Sequence, residues 1–137
     1  MNDRDVWPKT FVKDSRNSPG AIFSEHASDL AAITNDIVTA EVVSKRVNEG
    51  RFYYKFYLVA PALDNYQFSL FDFSYGFDYY PVRFANLDRD LQMELGLVNK
   101  PIAAEDKKEL LILLIEISHS KRVVQIINTL LAESEGR

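Results

Sequence analysis

The sequence contains no cysteine. Disulfides, thiolate metal sites and cysteine nucleophiles are therefore excluded, and a reducing cytoplasm is the expected setting. Long hydrophobic runs are missing too. The longest, Leu110 to Ile115, falls far short of the ~20 residues that a membrane-spanning helix needs. No membrane association is expected. Positive charge is in deficit: 16 Lys and Arg stand against 20 Asp and Glu, a formal net charge of −4. General phosphate-backbone binding needs a basic surface, so nucleic acid ranks low among the expected partners, although a local basic patch is compatible with this balance.

Glycine is sparse and scattered, at Gly20, Gly50, Gly76, Gly96 and Gly136, and none of these forms a phosphate-cradling loop. There is no Gly-x-Ser-x-Gly nucleophile elbow. The two histidines, His26 and His119, make no His-x-x-x-His or His-x-x-Glu-His pair, so no metal site is expected. Met1-Asn2-Asp3-Arg4-Asp5 is charged and has no apolar core, unlike a secretory leader. No repeat or low-complexity tract occurs. With no motif for a group-transfer or redox chemistry, no catalytic residue and no cofactor is assigned, and a non-enzymatic reading is favoured.

What is present is apolar substance: 47% hydrophobic residues over 137 positions, enough for the core of one ordinary domain. Residues 1–17 read as a polar arm with Trp7, Phe11 and Val12 embedded, 18–133 as one α+β domain, and 134–137 as a frayed tail. Ser18-Pro19 supplies an N-cap and a first helical residue. Ile22, His26, Leu30, Ile33 and Ile37 then recur at helical spacing. From Val38 the period changes to two. Four strands are expected, beginning near Val38, Arg51, Tyr66 and Phe77, in an antiparallel meander of order 1-2-3-4. Asn48-Glu49-Gly50 and Ser74-Tyr75-Gly76 read as three-residue hairpin loops, and residues 61–65 as a five-residue loop that keeps Pro61 out of the ladder.

This register pairs Val47 with Arg51, Val42 with Phe56, Ala40 with Leu58, Phe56 with Leu70, Leu58 with Phe68, Phe73 with Phe77, Leu70 with Tyr80, and Phe68 with Val82. It collects an apolar face that the helices should cover. Asp72 falls on that face opposite Asp78, most simply as a hairpin-end carboxylate reaching solvent. Two or three C-terminal helices are expected on the same face. A short one follows Asp88. Another spans about 104–117, with Leu110, Leu111, Leu114 and Ile117 inward. After a break at Ser118-His119-Ser120, the last carries Val123, Ile126, Ile127, Leu130 and Leu131; the alternative is one continuous helix.

The opposite face is the informative one. Its expected rows bring together Tyr53, Lys55, Tyr57, Phe71, Phe73, Phe77 and Tyr79, with Arg51 and Arg83 at the edges. Aromatic rings mixed with a few cations are the usual content of a protein-contact patch. The leading expectation is a small, acidic, cytoplasmic accessory or adaptor domain that binds a protein partner or itself through these seven residues. The bland alternative is that the same rings are core. A second functional reading places a small-ligand or enzymatic pocket between sheet and helices, lined by Tyr54, Tyr66, Tyr80 and Asp72. A third is single-stranded nucleic-acid binding on the sheet. His26, on an apolar helix stripe, is expected to be a buried, hydrogen-bonded core histidine.

Overall fold

Ser18 and Pro19 open the first helix, α1 (Pro19–Ile33), with the Ser18 hydroxyl accepting from the Ala21 N–H at 3.2 Å. These features come from a computed structural model of the chain, which describes residues 6–13 and 17–136. At the far end of α1, the Thr34 hydroxyl donates to the Val38 carbonyl at 2.6 Å and accepts the Val38 N–H at 3.2 Å. That exchange fixes where the chain leaves the helix for the sheet.

Among the described residues five antiparallel strands follow, in the order β1 (Thr39–Asn48), β2 (Arg51–Ala60), β3 (Tyr66–Gly76), β4 (Val82–Ala85) and β5 (Ile102–Ala104). The meander is as expected, with one strand more than the four anticipated. The extra strand is three residues long, too short to show a period of two. Three helices complete the layout: α2 (Arg89–Leu95) before β5, then α3 (Lys107–Ser118) and α4 (Lys121–Glu135) after it. Asp88, Asp106 and Ser120 cap them through side-chain oxygens. The break before Ser120 is there, and α4 runs on through Ser134, which is buried. Among the described residues no helix is long and apolar enough to cross a membrane.

The register departs from expectation in three places. At the first hairpin the turn is two residues, Glu49 and Gly50, with φ of 51° and 74°, so Asn48 pairs with Arg51 and Val47 with Phe52. Positive φ at both central positions gives the mirror-image turn whose twist suits paired strands. A bulge at Lys45 absorbs the offset, and Val42 still faces Phe56. The five-residue loop from Pro61 to Asn65 is present, and Leu58 faces Phe68. Beyond it, Leu70 is an extra residue in β3, so Phe56 faces Phe71 rather than Leu70, and Tyr54 faces Phe73. Lastly, Ser74-Tyr75-Gly76 is strand and not turn. The loop is 77–81, and Phe73 pairs with Phe84, so the expected pairs of Phe73 with Phe77, Leu70 with Tyr80 and Phe68 with Val82 do not form.

The Leu70 bulge turns Phe71, Phe73 and Tyr75 onto the helix-covered face. There Phe56 stacks on Phe71 at 4.9 Å between centroids, Tyr54 stacks on Phe73 at 5.0 Å, and Phe52 meets Tyr75 at 5.9 Å. Phe23 of α1 lands on this ladder, fully buried, with its ring 3.7 Å from that of Phe73 and within 6.4 Å of Phe56, Phe71 and Phe84. The buried stripe of α1 is thus Pro19, Ile22, Phe23, Ala27 and Thr34, and Ile33 and Ile37 are exposed. Thr34 takes the end of the stripe because its hydroxyl must reach Val38. In the first turn of α1 a Cβ on Gly20 would stand 2.7 Å from the Tyr75 hydroxyl, which donates to Tyr54 at 3.3 Å.

The helices meet the sheet and one another in a single core cluster. The carbonyl of the bulged Leu70 accepts the Asp88 N–H at 3.0 Å. Asp88 in turn caps α2 and holds Arg122 of α4 at 2.8 Å, and the Arg122 guanidinium lies over Phe68.

Replacing Phe23 with alanine should therefore destabilise the fold by about 3–5 kcal/mol in urea unfolding. Ile33→Ser, on the same helix but exposed, should stay within about 0.5 kcal/mol of wild type. Similar losses for the two would contradict the placement of the ladder.

Candidate interaction face

Of the seven residues expected on the open sheet face, Tyr53, Lys55 and Tyr57 are there, half-buried. The bulge at Leu70 removes two others: Phe71 and Phe73 are 1% exposed, on the core side. Phe77 and Tyr79 sit in the loop after β3. Phe77 is exposed and packs edge-on against Phe52, and Tyr79 packs edge-on against Tyr75, so both belong to the aromatic side. Asp72 moves the opposite way, from the expected core face to the open one.

The open rows are Arg46-Tyr53-Ser74-Arg83, Val43-Lys55-Asp72-Ala85 and Glu41-Tyr57-Ser69, with Arg51 beside Asn48 and Gly76. Rings and cations interleave. The Arg46 guanidinium lies 4.2 Å from the Tyr53 centroid. The ammoniums of Lys45 and Lys55 lie 5.5 and 5.8 Å from that of Tyr57. Cations over ring faces are held by the ring quadrupole, and the side-chain stems cover the aromatic surface.

One carboxylate in these rows is neutralised internally. Asp72 pairs with Lys55 at 3.6 Å and accepts from the Asn86 amide at 2.7 Å. Among the described residues Arg51 is anchored by neutral oxygens: its guanidinium donates to the Ser74 hydroxyl at 2.9 Å, the Ser74 carbonyl at 3.0 Å and the Pro81 carbonyl at 3.3 Å. Burial, and then the neighbouring Arg83, lower its pKa from the usual guanidinium value, against a smaller opposing effect of Tyr53. Among the described residues, Arg46, Arg51 and Arg83 have no carboxylate within ion-pair distance. The face is therefore a positive, tyrosine-bearing strip on an acidic chain. Arg46 and Ser74 are not legible in the sequence, because the two-residue first turn brings the one opposite Tyr53 and the Leu70 bulge brings the other.

The residues named for an internal pocket do not converge. Tyr54 is in the aromatic ladder, Tyr66 is 48% exposed at the start of β3, and Asp72 is on the other face. Tyr80 lies near Asp106, its pKa raised by burial first and that carboxylate second, and its hydroxyl has no hydrogen-bond partner among the described residues. No three His, Asp or Glu side chains among the described residues gather as a metal site.

One further pair has the look of a nucleophile and base: the Ser118 hydroxyl lies 2.8 Å from His26 Nε2, joining α3 to α1, with Asp29 nearby. Ser118 is the last residue of α3, where carbonyls gather rather than N–H groups, and an acyl-transfer site needs N–H donors aimed at a developing oxyanion. The first N–H groups of α4, on Lys121 and Arg122, are taken by Glu94. The pair thus reads as a hydrogen-bonded structural histidine, half-buried rather than fully buried as expected from the sequence. The chain matches no known protein family, no curated protein and no solved structure, so its chemistry is read from these residues alone.

Burial holds the His26 imidazole below its ordinary pKa, with Asp29 pulling the other way. The unfolded chain then takes up this proton first as pH falls, so stability should decline from about pH 6.5 downward. Between about pH 7.5 and 5.5, the melting temperature of wild type should fall more than that of His26→Gln. Equal declines would mean that His26 is not buried in its neutral form.

Proposed function

We propose that this chain is a small cytoplasmic accessory or adaptor domain that binds a protein partner through the open sheet face, and that the partner's surface is rich in carboxylates. The observation that carries the reading is the strip of Arg46, Arg51 and Arg83, which lack carboxylate partners among the described residues and stand around Tyr53. Tyrosine and arginine are the side chains most enriched where proteins bind one another tightly. Guanidinium groups recognise carboxylates through two parallel hydrogen bonds, which sets orientation as well as affinity. Complementary charge would also speed encounter and make it salt-dependent.

A single-stranded nucleic acid is the second reading, since it offers phosphates to the cations and bases to the rings. Two observations weigh against it. Tyr53 already has Arg46 over its ring, and Tyr57 has Lys45 and Lys55, so a stacking base would displace them. The chain as a whole also carries a formal charge of −4, which repels a polyanion at range.

The test is a double charge reversal, Arg46→Glu with Arg83→Glu, both exposed positions. Melting should stay within about 0.5 kcal/mol of wild type. Immobilised wild type should retain an acidic protein from native cell extract at ~50 mM salt and release it by ~300 mM, while the variant retains at least about tenfold less. Identical retention by both proteins would remove the sheet face from the mechanism. Tight binding of an oligothymidine by wild type at ~150 mM salt, lost in the variant, would transfer the face to the nucleic-acid reading.

A further inference from the structure

Two other parts of the molecule are apolar and exposed, and they complement each other. One is the arm. Val6, Trp7, Phe11 and Val12 are 75, 76, 73 and 92% exposed, so most of their surface is left open to water. Trp7 and Phe11 touch only as a tilted pair, 6.4 Å apart, and Lys9 and Lys13 alternate with the apolar residues. The other is the outer side of α3, where Leu111, Ile112 and Ile115 are 41, 47 and 57% exposed. Between α3 and α1 runs a groove of about 330 Å³. Ile22, Leu111, Leu114 and Ile115 give it an apolar lining, and Glu25 and Asp29 form an acidic border on the α1 side, with Lys107 the one lining cation.

We propose that the arm of one copy docks in the α1–α3 groove of a second copy, with Trp7 and Phe11 on the apolar lining and Lys9 and Lys13 beside Glu25 and Asp29. The chain itself carries both halves of this contact, so a second copy satisfies it with no other partner. Exchange between two copies is reciprocal: each arm fills the other's groove, the interface occurs twice, and the assembly closes as a two-fold dimer. Four large apolar side chains per arm leave water in each half of the exchange, which is the kind of burial that drives association. This surface is distinct from the open sheet face and does not depend on it.

Light scattering and sedimentation on the full chain, over about 1–500 µM, decide the matter. Wild type should double in mass across that range. Trp7→Ser with Phe11→Ser should remain monomeric, with its melting temperature at low concentration unchanged, because both rings are largely exposed. Ile115→Glu, at an exposed position, should be monomeric too. A mixture of these two variants should associate more at the top of the range than either alone, since one supplies an intact groove and the other an intact arm, but more weakly than wild type because only one of the two contacts forms. Arg46→Glu with Arg83→Glu should dimerise like wild type, which separates this contact from the sheet face. The proposal fails if wild type is monomeric throughout, including the case in which the arm variant melts lower because the arm docks on its own domain. It fails equally if the dimer survives loss of Trp7 and Phe11, survives Ile115→Glu, or if the mixture associates no more than either variant alone at the top of the range.

Discussion

Leu70 lies in β3 with no residue of β2 opposite it, and every side chain beyond it takes its side of the sheet from that one insertion. A strand alternates faces with a period of two, so a single extra residue exchanges them. Here the exchange brings Phe71, Phe73 and Tyr75 into line with Phe56, Tyr54 and Phe52. Aromatic pairs in such contact contribute about 0.5–1.5 kcal/mol each beyond the area they bury, which offsets the interrupted ladder. The interruption is also repaired. The Leu70 carbonyl takes the Asp88 N–H, and Asp88 ties the site to α2 and, through Arg122, to α4. The bulge is thus a junction at which sheet and helices fix one another.

Local chemistry was legible in the sequence wherever it acts over three or four residues. Ser18-Pro19, Asp88 and Ser120 start helices as their side chains require, and the break at His119 follows from the cap that succeeds it. The pairing of Val42 with Phe56 and of Leu58 with Phe68 was legible from alternation and loop length. The bulges were not, because Lys45 and Leu70 are ordinary strand residues with nothing in their own chemistry to mark them as extra. The helical spacing that runs through Ile33 to Ile37 leaves Phe23 out. Only the tertiary ladder shows that Phe23 is its centre and that Thr34 is wanted where the stripe ends. Gly76 resembled a turn residue, yet it has no positive φ and simply ends β3.

The same two insertions rewrote the candidate site. Reading the sheet without them puts phenylalanine on both faces, and the open face looks sticky. With them, phenylalanine gathers under α1, and the open face keeps tyrosine, serine and cations. Charge is accordingly uneven: basic groups gather on the strands while Glu25 and Asp29 border the helical groove. A molecule with opposite charges on two sides presents different surfaces to different neighbours, and its modest net charge conceals this.

Lys45 has a consequence of another kind. β1 is one of the two outer strands of the sheet and is ten residues long, with Val47 exposed. Long, regular outer strands are templates on which further chains add, and that is a common route to aggregates. A bulge disrupts the even spacing of free N–H and carbonyl groups along such an edge, and a lysine placed at the bulge adds a charge that an incoming strand would have to desolvate. The insertion that corrects the register of the first hairpin therefore also keeps this edge from growing.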